Sequence, residues 1–311
     1  MRWIDRAGRR VSLRHLHIFM AVADRGSIAK AAALLSISHP VVSKTISDLE
    51  HVLGVKLLER GPRGVEPTVY GRACLDCGLA VFDELRRGLQ NIQNLTEPFA
   101  GELRVGAAEP MRDLLSSIVE QVTRKYPRII INLIMAEAKP LHDMLRGRQA
   151  DVVFSRRIGS NETDFACEPF FEQHLFVVSG RKSRWANRRK IELADLIDEP
   201  WVLPDSANVI APLIAECFRS NGLPQPAAQI VANSLRVRET MASRGHFLTI
   251  LPSSSLYPSD VRASLKILPV ALPAKMQLVE IITLKGRSLS PVAKLFLDSV
   301  RRSAKLPIRV Q

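Results

Sequence analysis

The sequence predicts a small all-helical head with a short β wing, then one long helix, then a large α/β region. Three observations carry this reading. Residues up to about 53 hold three short segments with apolar residues at helical spacing, separated by Gly26, Ser36-Ile37 and Gly54. Residues 68 to 95 keep a helical period without a break. After Gly101 strand-like and helix-like patterns alternate, the mark of a parallel α/β sheet.

The first helix is expected from Ser12 to Asp24, with Leu16, Phe19, Met20 and Ala23 on its inner side. Arg25-Gly26 ends it, because glycine is favoured just past a helix C-terminus. Ser27 offers a hydroxyl to cap the second helix, and IAKAAALL follows. Its small side chains allow a neighbouring helix to come close. Ser36-Ile37 is a very short connection. Ser38 is expected to cap the third helix, with Pro40 in the first turn, where a missing N–H costs nothing. Val42, Ile46, Leu49 and Leu53 then face a core, so Ser43, Lys44 and Ser47 point elsewhere. Gly54 stops this helix. Val55 to Thr68 carries Lys56, Arg60 and Arg63 among Gly61, Pro62, Gly64 and Pro67, a basic, turn-rich stretch suited to a two-stranded wing.

The long helix, from Thr68 to Leu95, carries two adjacent apolar stripes. One is Cys74, Val81, Leu85, Ile92 and Leu95; the other is Leu75, Leu79, Phe82 and Leu89. A helix this apolar has more than one partner, such as the head and a second copy of the chain. Pro98 and Gly101 mark a boundary. Beyond it, GELRVGA, IIINLIM and ADVVF read as strands, with helices in PMRDLLSSIVEQVTRKY and KPLHDMLRG. A second series runs from about Gln173 to Leu268. It holds HLFVVSG, a helix after Ser206, AAQIVA, a helix after Ser234, and FLTILP. KMQLVEIITL and PVAKLFLDSVRRS close the pattern.

Composition bounds the function. Of 311 residues, 46% are hydrophobic and 24% charged, as in ordinary globular domains. No apolar run is long enough for a membrane span, and the basic first residues lead into no apolar signal core. A cytoplasmic protein with reduced cysteines is expected. The net charge of +13 invites a nucleic-acid partner. Residues 1–100 hold 14 basic and 10 acidic residues, against 30 and 21 in the remainder, so charge alone does not favour the head. Cys74-Leu-Asp-Cys77 is a C-x-x-C at helical spacing, which reads as two small apolar side chains rather than a redox pair. His15 and His17 read as surface or packing residues. No metal site, cofactor motif or short catalytic signature is expected.

Three helices with a tight turn before the third fit a helix-turn-helix, whose third helix enters the DNA major groove. Small hydroxyls would let the backbone approach the duplex while still donating hydrogen bonds, and Lys44 would add charge. The same pattern fits a small helical subdomain with a solvated Ser/Lys face. The run GSIAKAAALLSISHPVVSKTISDLEHVLGVKLLER, followed by GVEPTVYG, settles the choice. It resembles the DNA-binding head of LysR-type transcriptional regulators through Ala31-Ala32, Ser43-Lys44, Leu49-Glu50, Leu53-Gly54, Leu57 to Arg60, Thr68 and Gly71. Tyr70 stands where that family usually has a small residue.

The resemblance implies a winged helix-turn-helix over residues 1–67 and a linker and dimerisation helix over 68–97. An α/β two-lobed, periplasmic-binding-protein-like effector domain would follow over 101–311. Lobe 1 would span about 101–172 and 269–305, and lobe 2 about 173–268. It implies that His39, Pro40, Ser43 and Lys44 approach the major groove, that Ser27 and Ser38 meet phosphates, and that Arg60 and Arg63 sit on the wing. It implies double-stranded DNA with an interrupted palindrome as partner, a homodimer through the linker helix, and homotetramers. A small-molecule effector would lie between the lobes at Ala108, Glu109, Pro110, Met111, Ser155, Arg156, Asp205, Ser206 and Phe247, with Arg156 as its carboxylate partner. Glu109 and Phe247 depart from the family pattern, and Phe247 would narrow or reshape the cleft. A solute-binding module or an α/β enzyme with a helical head are the alternative classes.

Overall fold

The computed structural model describes residues 10–61, 64–96, 99–159, 163–208, 210–256, 259–273 and 277–304. The chain divides into two compact units, Met1–Ile92 and Gln93–Gln311. Pro98, Arg63 and the side chain of Arg60 lie outside the described residues.

In the first unit, α1 (Leu13–Arg25), α2 (Ile28–Leu35) and α3 (His39–Leu53) pack around Phe19, Val22, Ala31, Val42 and Leu49, all buried. Ser12 caps α1 through a reciprocal pair with His15, so His15 has a structural task. The inner side of α1 is Leu16, Ile18, Phe19 and Val22, whereas the sequence pointed to Met20 and Ala23, which are only half-buried. The reason is that α1 has partners on two sides, so its apolar arc is wider than one stripe. Ser36 closes the α2–α3 turn at φ 54°, with Ile37 N–H donating to Ala32 O at 3.1 Å.

The wing is an antiparallel pair, β1 (Leu58–Gly61) and β2 (Gly64–Pro67). Gly64 holds φ +121°, and a Cβ there would stand 2.4 Å from Gly26 O, so the wing's return strand sits directly on the α1–α2 turn. Val65 N–H donates to that same oxygen at 2.9 Å. The linker helix α4 (Val69–Thr96) starts against the wing. Thr68 Oγ1 donates to Lys56 O at 2.7 Å and accepts from Gly71 N–H at 3.0 Å. Gly71 is buried so tightly that an added Cβ would lie 2.1 Å from Leu57 O. Leu85, Leu89, Ile92 and Leu95 are exposed along α4.

The second unit holds two five-stranded sheets. The first contains β3 (Gly101–Ala107), β4 (Ile129–Met135), β5 (Val152–Ser155), β6 (Phe165–Gln173) and β12 (Gln277–Leu284), in the order β4-β3-β5-β12-β6. The second contains β7 (Leu175–Gly180), β8 (Trp201–Leu203), β9 (Ala228–Val231), β10 (Leu248–Pro252) and β11 (Leu265–Ile267), in the order β11-β7-β10-β8-β9. Both sheets are mixed, which corrects the all-parallel expectation. β3, β4 and β5 run parallel, but β12 is antiparallel to β5 and β6, and β7 to β10 and β11. The chain crosses between the sheets at His174 and again between β11 and β12. Those two crossings bring strand ends of both sheets together. The helices are α5 (Arg112–Lys125), α6 (Ala138–Arg146), α7 (Ala211–Arg219), α8 (Leu235–Ser243), α9 (Ser259–Ser264) and α10 (Pro291–Ala304). Each sheet has its own core, one around Leu103, Phe154 and Phe296, the other around Trp201, Phe218 and Ile250.

Candidate nucleic-acid interface and effector cavity

The third helix presents two unlike faces. Val42, Ile46 and Leu49 are inside, whereas His39, Pro40, Lys44 and Ser47 are exposed and Ser43 is half-buried. Ser38 occupies the N-cap position, but its hydroxyl makes no capping bond, which corrects the cap expected there. That hydroxyl is exposed at the start of α3. Ser27 does cap α2, accepting from Lys30 N–H at 3.4 Å.

Glu50 fixes this helix to the wing. It is buried at the inner end of α3, and its carboxylate accepts from Leu57 N–H at 2.9 Å, Leu58 N–H at 3.3 Å and Lys56 Nζ at 2.6 Å. Burial alone would raise the carboxyl's pKa. The Lys56 contact and the two backbone N–H groups outweigh it and hold the group below the usual range. One ionised side chain therefore ties α3 to the start of β1, beside the apolar contact of Leu49 and Leu57 in the same core.

In the second unit a cavity of about 390 Å³ opens between the two sheets, within the usual range of small-molecule sites. Of the residues expected there, Ala108, Glu109, Pro110, Met111, Ser155 and Arg156 line it. Glu109 is engaged by Arg112 Nη1 at 2.8 Å. Ser155 lies 3.1 Å from Nε2 of the buried His142 and donates to Arg156 O at 3.1 Å, so its hydroxyl is turned into the wall. Asp205, Ser206 and Phe247 do not line the cavity. Asp205 and Ser206 do not open a helix, because α7 begins only at Ala211. Asp205 instead accepts from Ala207 N–H at 2.8 Å in a local turn. Phe247 precedes β10 and stacks edge-on against His246, whereas the cavity meets the other end of that strand, at Pro252. It therefore does not narrow the cleft.

The remaining wall lies beyond the residues expected from the sequence. It includes Glu137, Gln173, Asn208, Asn233, Ser234 and Arg238. Arg238 is 3% exposed. Its Nη1 donates to Ile250 O at 3.0 Å, while Nε is buried without a hydrogen bond. Burial pushes its pKa down to about 10, against the pull of Glu239 and Glu137. A signal did exist. The inward positions of α8 are Leu235, Arg238, Glu239 and Ala242, which is the spacing of an apolar helix face with charges in two places.

Comparison with known proteins decides the family. Residues 13–72 match the model for bacterial regulatory helix-turn-helix proteins of the lysR family, and residues 96–305 match the LysR substrate binding domain. The chain belongs to the LysR family. It is a DNA-binding transcriptional regulator of that type. Among its relatives, the regulator GbpR of Azospirillum brasilense is 28% identical, over 96% of this chain and 89% of that one. The activator CmpR of Synechocystis is 26% identical over 92% and 94%. A full-length OxyR variant from Pseudomonas aeruginosa shares the fold at a TM-score of 0.65, with 20% identity and 95% of each chain covered.

For this LysR-family chain the two cysteines differ in their surroundings, Cys77 being exposed. Cys74 is half-buried, and burial, with Cys77 as a smaller contributor, pushes its thiol up to about 11. Among the described residues no cluster of His, Cys, Asp or Glu is placed to hold a metal ion, and no helix is long and apolar enough to cross a membrane.

Proposed function

We propose that this regulator acts in the cytoplasm as a homodimer, assembling further into tetramers, on an interrupted palindromic operator. A small-molecule effector in the cavity of the second unit would set its activity. The observation that supports this most is the pairing in one chain of a solvent-facing Ser/Lys recognition face with a cavity between two sheets. His39, Pro40, Ser43 and Lys44 meet the major groove, and Ser38 and Ser27 meet phosphates. Arg60 and Arg63 reach the backbone or minor groove from the wing. The exposed Leu85, Leu89, Ile92 and Leu95 of α4 suit burial against a second copy. Two recognition helices related by two-fold symmetry would then read half-sites about 34 Å apart, or a multiple of that. Ala108, Glu109, Met111 and Arg156 contact the effector. It acts by preferring one setting of the two sheets over another, since a ligand that binds both equally shifts nothing.

The test is a footprint of the purified protein on the DNA beside its own gene, at two salt concentrations. Protection of an interrupted palindrome, weakened by salt, is the expected result. Salt-sensitive retention without a defined footprint would reduce the reading to a basic protein on phosphates. No binding at either salt would overturn it.

A further inference from the structure

The second unit carries its excess of cations unevenly. Residues 181–190 read RKSRWANRRK, six cations and no carboxylate. Successive turns, Ser183 N–H to Gly180 O, Ala186 N–H to Ser183 O and Arg188 N–H to Trp185 O, keep this stretch beside the end of β7. The fold brings further cations to the same place. A Cβ on Gly180 would stand 2.5 Å from Ser243 O and 2.6 Å from Gly245 N, so β7 runs into the last turn of α8. A Cβ on Gly245 would in turn stand 3.3 Å from the carbonyl carbon of Lys182. Arg181 donates through Nε to Ala263 O and through Nη2 to Arg262 O, both at 2.8 Å, at the end of α9. Lys266 pairs with Ser179 between β11 and β7. One end of the second sheet therefore gathers the 181–190 cations with Arg244, Arg262 and Lys266, all exposed. Leu175, at the other end of β7, lines the cavity, roughly 17 Å away at the usual rise of a strand.

The carboxylates nearby neutralise only part of this charge. Glu199 takes Arg184, and Glu192 takes Lys190 at 2.8 Å. Residues 181–199, 244–246 and 262–266 together hold nine cations and four carboxylates, so the two pairs leave seven cations against Asp195 and Asp198. Among the described residues Lys182, Arg188, Arg189, Arg244 and Lys266 form no ion pair with a carboxylate. Like charges crowded this way repel, and an anionic partner relieves the repulsion. A small anion is held by donors that converge in a concavity. These side chains come from separate segments and stand in solvent, which suits a polymer of repeated charge. Duplex DNA carries one negative charge per about 1.7 Å of its axis. DNA is already this family's partner, yet residues 1–100 hold a net charge of only 14 − 10 = +4, against 30 − 21 = +9 in residues 101–311.

We propose that this basic end of the second sheet is a second DNA-contacting surface, holding phosphates of the duplex outside the stretch read by the heads. Its cations sit on turns and element ends, with no helix presented for a groove, so it contributes affinity and salt dependence rather than base readout. Because the heads already hold the duplex, a weak phosphate contact here is intramolecular and acts at a high effective concentration. The inference rests on the DNA binding of the family and is independent of the cavity and its effector.

The experiment is fluorescence anisotropy of the full-length protein on a labelled random-sequence duplex of about 60 base pairs, titrated at NaCl concentrations from about 50 to 300 mM. Each phosphate contact contributes about 0.9 to the slope of log K against log salt. K182Q/R188Q/R189Q should therefore flatten the slope by about 2 to 3 and weaken binding at least tenfold at about 100 mM NaCl. K125Q/K285Q/K294Q removes as much charge from exposed lysines beside the first sheet and should flatten it by less than about 0.5. K182R/R188K/R189K keeps every charge and should bind as wild type does. If the first triple variant melts below wild type, its three single substitutions are read instead, each expected to flatten the slope by about 0.9. An unchanged slope in K182Q/R188Q/R189Q, or an equal change in the control triple, would overturn the proposal. So would binding by the charge-preserving variant as weak as that of K182Q/R188Q/R189Q, or no binding of the random duplex by wild type at about 50 mM NaCl. The duplex contains no operator, so these outcomes stand apart from whether the footprint shows a palindrome.

Discussion

Glu50 is where the recognition helix can be loosened without touching its DNA-facing side. Its three hydrogen bonds differ in weight. Lys56 is 78% exposed, so that ion pair contributes under about 1 kcal/mol. The bond to Leu58 at 3.3 Å is long. The bond to Leu57 at 2.9 Å is short, buried and made to an ionised acceptor, a class that contributes about 1.5–3 kcal/mol. E50Q keeps an oxygen toward Leu57 and loses only the charge assistance, so it should cost about 1 kcal/mol. E50A leaves the buried Leu57 N–H with no acceptor and should cost about 2–3 kcal/mol. That equals about a 30- to 150-fold larger opening constant, since every 1.4 kcal/mol is tenfold. Hydrogen exchange at the Leu57 and Leu58 amides of the full-length protein reads this opening. The folded carboxyl is held low, so its contribution is complete above the unfolded value, about 4.3, and fades as pH falls through the folded value. The difference between wild type and E50A should therefore be constant above about pH 5 and shrink in acid. Unchanged exchange at Leu57 in E50A, or a difference that grows in acid, would refute this account.

The S43A/K44A double variant should lose tenfold or more in operator affinity and lower the salt slope by about 1, with its far-UV circular dichroism unchanged. A melted head would mean these side chains belong to the core. G71A gains helix propensity of about 1 kcal/mol but meets Leu57 O at 2.1 Å, so a net destabilisation of about 1–3 kcal/mol should appear in urea melts. A stabilised G71A would show that the wing and α4 do not touch this closely. Iodoacetamide at about neutral pH should label the exposed Cys77 well before Cys74, as mapped by mass spectrometry. Preferential labelling of Cys74 would contradict its burial.

Most of the first unit follows from local sequence. Val42, Ile46 and Leu49 follow one helical face, and a helix's inner side is a local property, fixed by a period of 3.6 residues. The caps and breaks at Ser12, Ser27 and Gly54 are local for the same reason. How Glu50 is used is a matter of tertiary contact, because its three donors come from a segment that returns to it after the helix ends. In the second unit the strand–helix alternation was legible, but strand pairing was not. β8 is three residues long, and β6 contains Pro169 and faces an irregular stretch of β12, so neither shows a clean period. The cavity wall is assembled from residues 108 to 279, and no local pattern says which end of a strand will face it. Phe247 and Pro252 bracket the same strand, yet only Pro252 meets the cavity. Arg238 was readable as a charge at an inward position of α8. Whether such a charge finds a partner is decided by elements distant in the chain, and here the fold leaves it facing the space between the sheets.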